Sequence, residues 1–190
     1  MEKIIKTARF SLIFLLLSSC SSISSVASLA ANAGISSKGF SASVDDSFLK
    51  AKIIGKISKL KISNLSDISV SVCLGEVLLT GYSDDQVDRL KLIEVVWEVE
   101  GVEKIYNEIK LQSSVSLTER AEDALFESRL MTRLLFKSGI NSNNYSLDVV
   151  GGTVYAIGLA ESLDEKTNIE NFLGDMNDIS QLVTIINIKR

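Results

Sequence analysis

The chain copies itself. Residues 68–81, ISVSVCLGEVLLTG, lie over residues 145–158, YSLDVVGGTVYAIG, at an offset of 77 positions. Val72 meets Val149, Gly75 meets Gly152, Val77 meets Val154 and Gly81 meets Gly158. The offset holds without a gap on both sides. Upstream, Asp46 falls on Asp123, Ile53 on Leu130 and Ile57 on Leu134; downstream, Val102 falls on Ile179, Ile105 on Leu182 and Ile109 on Ile186. Most matches keep character rather than identity, as expected of an old duplication. Whatever one copy folds into, the other must fold into as well.

Each copy reads helix, strand, strand, helix, strand. In the first, Leu49, Ile53, Ile57 and Leu60 recur at helical spacing, with Ser43 and Asp46 as a weak start signal. Ile68, Val70 and Val72 then alternate with serines, the pattern of a half-buried strand. Leu74-Gly75-Glu76 supplies a turn, and Val77 to Thr80 forms the partner strand. Ser83 with Gln86, and Ser162 with Glu165, have the spacing of capping boxes. Val87, Leu90, Ile93 and Trp97 make an apolar face for the second helix; Gly101 stops it, and Val102 to Leu111 closes the copy.

The first 20 residues carry a different message. Glu2, Lys3, Lys6 and Arg9 form a net-positive head, and Phe10 to Leu17 is an apolar core about eight residues long. That length suits a secretory signal, not the ~20 residues needed to span a bilayer. Leu17-Ser18-Ser19-Cys20 resembles the bacterial lipobox, in which the cysteine becomes the lipidated first residue of the mature protein. The alternative is a plain secretory signal cut near Ala30 or Ala33, with Cys20 discarded. Residues 21–44 are rich in Ser and Ala and are expected to be a flexible tether, reaching on the order of 25–30 Å.

Composition narrows the chemistry. Losing residues 1–19 removes three bases and one acid and takes the net charge from −4 to −6, a poor balance for gripping nucleic-acid phosphates. The chain has no histidine, so the commonest general base and the commonest zinc ligand are both missing. With Cys20 acylated, Cys73 is the only remaining thiol and no internal disulfide is available. It is expected as a small buried group on a strand. Gly151-Gly152 sits within a hairpin, not between strand and helix, and reads as a turn, not a phosphate cradle. Asp84-Asp85-Asp88 and Asp164-Glu165 open the second helices, where carboxylates suit the helix dipole. No loop has the oxygen spacing of a calcium site. We therefore expect no enzyme, no metal and no cofactor.

One charge pattern stands against the acidic background. Lys50, Lys52, Lys56, Lys59 and Lys61 follow one another with no acid between them. Lys52, Lys56 and Lys59 fall along one flank of the apolar face of the first helix. Arg129 and Arg133 repeat Lys52 and Lys56 at the 77-residue offset, with Leu125 and Phe136 beside them and Met131 and Leu135 on the far side. Basic groups among apolar side chains are what an anionic headgroup layer attracts. A plain solvated face, with the apolar residues packed against the other copy, is the alternative.

The helix–strand–strand–helix–strand order, the hydrophobic-x-Gly-x-Val-x-Leu-x-Gly hairpin (Val72 to Gly81, Val149 to Gly158) and the Gly101-Val102 step resemble the BON domain. The second copy departs from it at Asn177-Asp178-Ile179, where a Gly-Val step is usual. Two such units behind a lipobox resemble the dual-BON phospholipid-binding lipoproteins of the bacterial outer membrane. The resemblance implies an α+β chain of two tandem αββαβ BON-type sandwiches, each a mixed three-stranded sheet with two helices. The division is 1–19 signal peptide, 20–44 lipidated Cys20 and tether, 45–111 first unit, 112–118 connector and 119–190 second unit. It further implies a periplasm-facing outer-membrane lipoprotein that binds anionic phospholipid and supports envelope integrity. The candidate lipid-contact residues are then Lys52, Lys56, Lys59, Leu125, Arg129, Arg133 and Phe136. Two other classes stay open: a protein-interaction module in an envelope assembly, and a ring-forming secretion-type domain, which the end of the chain directly after the second copy disfavours.

Overall fold

A computed structural model describes residues 40–62, 67–112, 115–176 and 179–189. The signal peptide, Cys20 and most of the tether lie outside the described residues, as does the Asn177-Asp178 step. The first unit runs α1 (Phe40–Ile57), β1 (Ile68–Cys73), β2 (Glu76–Ser83), α2 (Gln86–Trp97) and β3 (Lys104–Leu111). The second runs α3 (Leu117–Leu135), a 3-10 turn (Ser142–Asn144), β4 (Tyr145–Val150), β5 (Thr153–Ala160), α4 (Leu163–Gly174) and β6 (Gln181–Ile188). In each unit the central strand pairs antiparallel with the strand before it and parallel with the strand after the helix.

The 77-residue correspondence carries through to the core. Ile53, Ile57, Val70, Val72, Val77, Leu79, Leu92, Val96 and Ile109 are buried together. Their partners at the same offset, Leu130, Leu134, Leu147, Val149, Val154, Ala156, Ile169, Leu173 and Ile186, form the second core. Each core fills the space between one sheet face and that unit's helices, so each unit removes its own apolar stripe from water.

The opposite faces of the two sheets pack on each other. Cys73, Leu78 and Tyr82 meet Val150, Tyr155, Ile157, Leu159 and Ile185 in a third buried cluster. The helices are thus the outer layers and the sheets the inner ones. This corrects the half-buried reading of β1: Ser71 is 9% exposed and Cys73 1%, because the serine face is covered by the other copy. The signal was present in β2 and β5, whose apolar residues run consecutively instead of alternating, as in strands buried on both faces. Polar contacts staple the seam: Lys110 Nζ donates to the Val150 carbonyl at 2.7 Å and to Thr153 Oγ1 at 3.0 Å. Asn187 Nδ2 donates to Glu76 at 3.1 Å, and Arg120 pairs with Asp67.

Several local expectations are corrected. Helix α1 reaches back to Phe40, into the expected tether; alanine favours a helix and serine does not forbid one, so their abundance does not imply flexibility. The 112–118 connector is shorter than expected, because Ser116 caps α3. Helix α2 is capped by Asp85, whose Oδ1 accepts from the Val87 N–H at 2.5 Å, and not by a Ser83–Gln86 box. Strand β2 runs on to Ser83, whose hydroxyl donates to the Asp85 carbonyl at 2.9 Å. Ser162 does cap α4, but the Glu165 carboxylate turns to the N–H groups of Glu161 and Asn141. The buried face of α2 is also rotated: Leu92, Val96 and the following Val99 point inward, while Val87, Leu90 and Trp97 are 55%, 54% and 51% exposed. Both sets have helical spacing, and only the match of Leu92 and Val96 to Ile169 and Leu173 distinguishes them.

Candidate functional site

Helix α3 is fixed at its start and on its inner side. Ser116 Oγ accepts from the Glu119 N–H at 3.1 Å, and Glu119 Oε2 accepts from the Ser116 N–H at 2.7 Å. This reciprocal box satisfies two orphan donors, and these bonds hold the Glu119 carboxyl below its usual range. Leu130 and Leu134 enter the core, with Phe126 and Met131 packed at its margin.

The outer side presents Leu125, Arg129, Arg133 and Phe136, spaced i, i+4, i+8 and i+11, so that they lie within about one quadrant of the helix. Leu125 is 64% exposed and Phe136 85%. The Arg129 guanidinium stands 5.7 Å from the centre of the Phe126 ring, and Arg133 Nη1 lies 2.9 Å from Met176 Sδ. Among the described residues neither arginine has an ion pair, so both positive charges remain available to an anion. Leu125, Leu135 and Phe136 are exposed and so are not packed against the other copy. The alternative of inter-domain packing is set aside for these residues.

The lysines of α1 have different surroundings. Lys56 Nζ lies 3.2 Å from Glu98 Oε2 and 3.3 Å from the Glu98 carbonyl oxygen. It therefore tethers α1 to the end of α2. Lys52 lines a groove shared with Asp45, Asp46, Glu100 and Glu103, where carboxylates oppose a second anion. Lys59 is exposed just past the end of α1. Because α1 and α3 occupy opposite outer layers, Lys52, Lys56 and Lys59 are not brought together with Leu125, Arg129, Arg133 and Phe136.

Sequence reasoning matched Asp46 to Asp123 but missed what they do. Asp46 Oδ2 accepts from the Leu74 N–H at 2.9 Å and Oδ1 from the Gly75 N–H at 3.2 Å. Asp123 accepts from Gly151 and Gly152 at 2.7 and 3.2 Å. In each unit a carboxylate from the first helix thus holds the hairpin turn. Gly151 and Gly152 are turn residues, with φ of 55° and 71°. Among the described residues no group of three His, Cys, Asp or Glu side chains is arranged to hold a metal ion, and no helix is long and apolar enough to cross a membrane.

A family model described as the BON domain matches residues 45–113. A protein of Anaplasma centrale, described as an uncharacterized protein in the gshII 5′ region, is 33% identical over 147 residues, covering 77% of this chain and 96% of its own length. Among solved structures, CdsD, a structural protein of the type III secretion system of Chlamydia trachomatis, is 13% identical with a TM-score of 0.30, covering 75% of this chain and 92% of that one. The C-terminal domain of CdsD gives 13% identity and a TM-score of 0.28, covering 73% and 63% respectively.

Proposed function

The chain belongs to the family of the Anaplasma centrale protein and carries a BON domain at residues 45–113, and from that premise we propose that it is a phospholipid-binding envelope protein, not an enzyme. In this reading residues 115–189 are a second BON-type unit. Cys20 carries the acyl anchor of an outer-membrane lipoprotein facing the periplasm, and α3 is the surface that meets anionic headgroups. The observation that carries the reading is the exposed face of Leu125, Arg129, Arg133 and Phe136, whose two cations have no ion pair among the described residues and stand between apolar groups. Each arginine near an anionic surface contributes about 1 kcal/mol, so the face alone binds weakly. Anchoring at Cys20 would confine it near the leaflet, where weak contacts are populated.

Co-sedimentation of a Cys20→Ser protein with vesicles tests this reading. Phosphatidylglycerol vesicles should pellet it at low salt and phosphatidylcholine vesicles should not; equal pelleting, or none, contradicts it. Palmitate labelling of wild type against Cys20→Ala tests the anchor separately.

A second reading, a protein-interaction module, is favoured by the exposed Val87, Leu90 and Trp97 stripe on α2. It lies on the layer opposite α3 and would face away from a membrane bound through α3. A pull-down partner lost with Trp97→Asp but kept with Arg129→Glu/Arg133→Glu, together with no vesicle binding, would favour it.

A further inference from the structure

Two outer helices carry opposite patterns. On α2, Val87, Leu90 and Trp97 are exposed, and exposed Glu94 falls within the same quadrant of the helix. Among the described residues Glu94 has no ion pair. The fold does not require this apolar stripe. At the 77-residue offset α4 carries Asp164, Thr167 and Gly174 in place of Val87, Leu90 and Trp97. Yet α4 is held to its core by Ile169 and Leu173 as α2 is by Leu92 and Val96. The outer face of α3 has the complementary make-up, with Arg129 and Arg133 set between Leu125 and Phe136.

The two faces match when the helices run antiparallel. Along α2, Glu94 follows Val87 by seven residues and Trp97 comes three later. Read backward along α3, Arg129 follows Phe136 by seven residues and Leu125 comes four later. At ~1.5 Å per residue the two patterns span about 15 and 17 Å. Arg129 then meets Glu94, with Phe136 over Val87 and Leu125 over Trp97. Arg133 falls toward the start of α2, where Asp84, Asp85 and Asp88 lie, and the helix dipoles oppose each other. Lys91, beside the stripe, is paired with Asp88 at 3.0 Å. Glu122, the one acid in the same quadrant of α3, falls opposite Gly101, past the end of α2.

We propose that α3 of one copy docks antiparallel on α2 of a second copy of this chain. An α2–α2 contact gathers carboxylates and an α3–α3 contact gathers arginines, so neither face suits itself. Because α2 and α3 lie on opposite outer layers, the contact joins different copies and leaves one face of each kind open. Association is therefore head to tail, and it grows an open chain or closes a ring. A lipid surface and a neighbouring copy exclude each other as occupants of α3. Measured without lipid, the contact stands or falls independently of the lipid-binding reading.

Two helix faces bury less than the ~1,200 Å² of a standard interface, so the contact is weak. Sedimentation equilibrium of the Cys20→Ser protein, from roughly 10 µM to 1 mM at low salt, reads it. The average mass should at least double over that range. Trp97→Asp, which spoils only α2, and Arg129→Glu/Arg133→Glu, which spoils only α3, should each stay monomeric, with folding checked by circular dichroism. Mixed together, the two variants retain one good face of each kind and should form dimers and nothing larger. A mixture that stays monomeric would overturn the proposal, as would an arginine variant that associates like the parent. A parent protein that remains monomeric at the highest concentration would also overturn it, without reference to any variant.

Discussion

Asp123 accepts from the Gly152 N–H at 3.2 Å, and Asp46 accepts from the Gly75 N–H at the same distance. The two units therefore share a working contact, not only an apolar pattern. A carboxylate near the start of each first helix pins the turn of the hairpin packed beneath it, fixing helix against sheet before the core side chains are counted.

Removing either clamp should cost stability. Asp46→Ala and Asp123→Ala each leave two turn N–H groups without their charged acceptor, a loss of about 1.5–3 kcal/mol. Urea unfolding monitored by circular dichroism measures it. A cost below about 0.5 kcal/mol in both would show that water replaces the carboxylate.

The two turns differ at one position. Leu74 has φ of 53°, whereas its counterpart Gly151 reaches 55° without a side chain. A left-handed leucine costs roughly 1–2 kcal/mol, partly offset by the chain entropy that glycine adds to the unfolded state. Leu74→Gly should therefore stabilise by about 0.5–1 kcal/mol while keeping the N–H that Asp46 accepts. A drop in the unfolding midpoint would mean that contacts of the 38%-exposed Leu74 side chain outweigh its backbone strain.

The rotated face of α2 is open to a direct comparison. Leu92 is fully buried and Trp97 is about half exposed, so Leu92→Ala should cost about 2–5 kcal/mol and Trp97→Gln under about 1 kcal/mol. The reverse order in chemical denaturation would restore the face read from the sequence.

Charge reversal separates the two helices that carry the basic pattern. Arg129→Glu/Arg133→Glu should abolish pelleting with phosphatidylglycerol vesicles. Lys52→Glu, in a groove already rimmed by Asp45, Glu100 and Glu103, should change it less than twofold. Since these charges are exposed, wild-type binding should also fall as salt rises to 0.5 M, where screening lengths drop to about 4 Å.

The fold was legible because the repeat doubles the evidence at each position. Ile53 with Leu130 and Ile109 with Ile186 mark the same core twice, and Gly75 with Gly152 marks the same turn. What escaped were features that periodicity cannot rank. The spacing of Val87, Leu90 and Trp97 is as helical as that of Leu92 and Val96. The seam between sheets was hidden in β1, which alternates serines with valines as a water-facing strand would, and showed only in the consecutive apolar residues of β2 and β5. Of the candidate site, Arg129 and Arg133 emerged with Leu125 and Phe136 as one surface. Lys56 did not join them, because Glu98 lies 42 residues away in sequence and its approach is tertiary.

Paramagnetic broadening of backbone NMR signals by spin-labelled phosphatidylglycerol in nanodiscs tests the lipid-facing role of α3 most directly. The account predicts that signals from Leu125 to Phe136 broaden first, while those from Val87 to Trp97, on the opposite layer, stay sharp. Broadening confined to α2, or spread evenly over both layers, would contradict it.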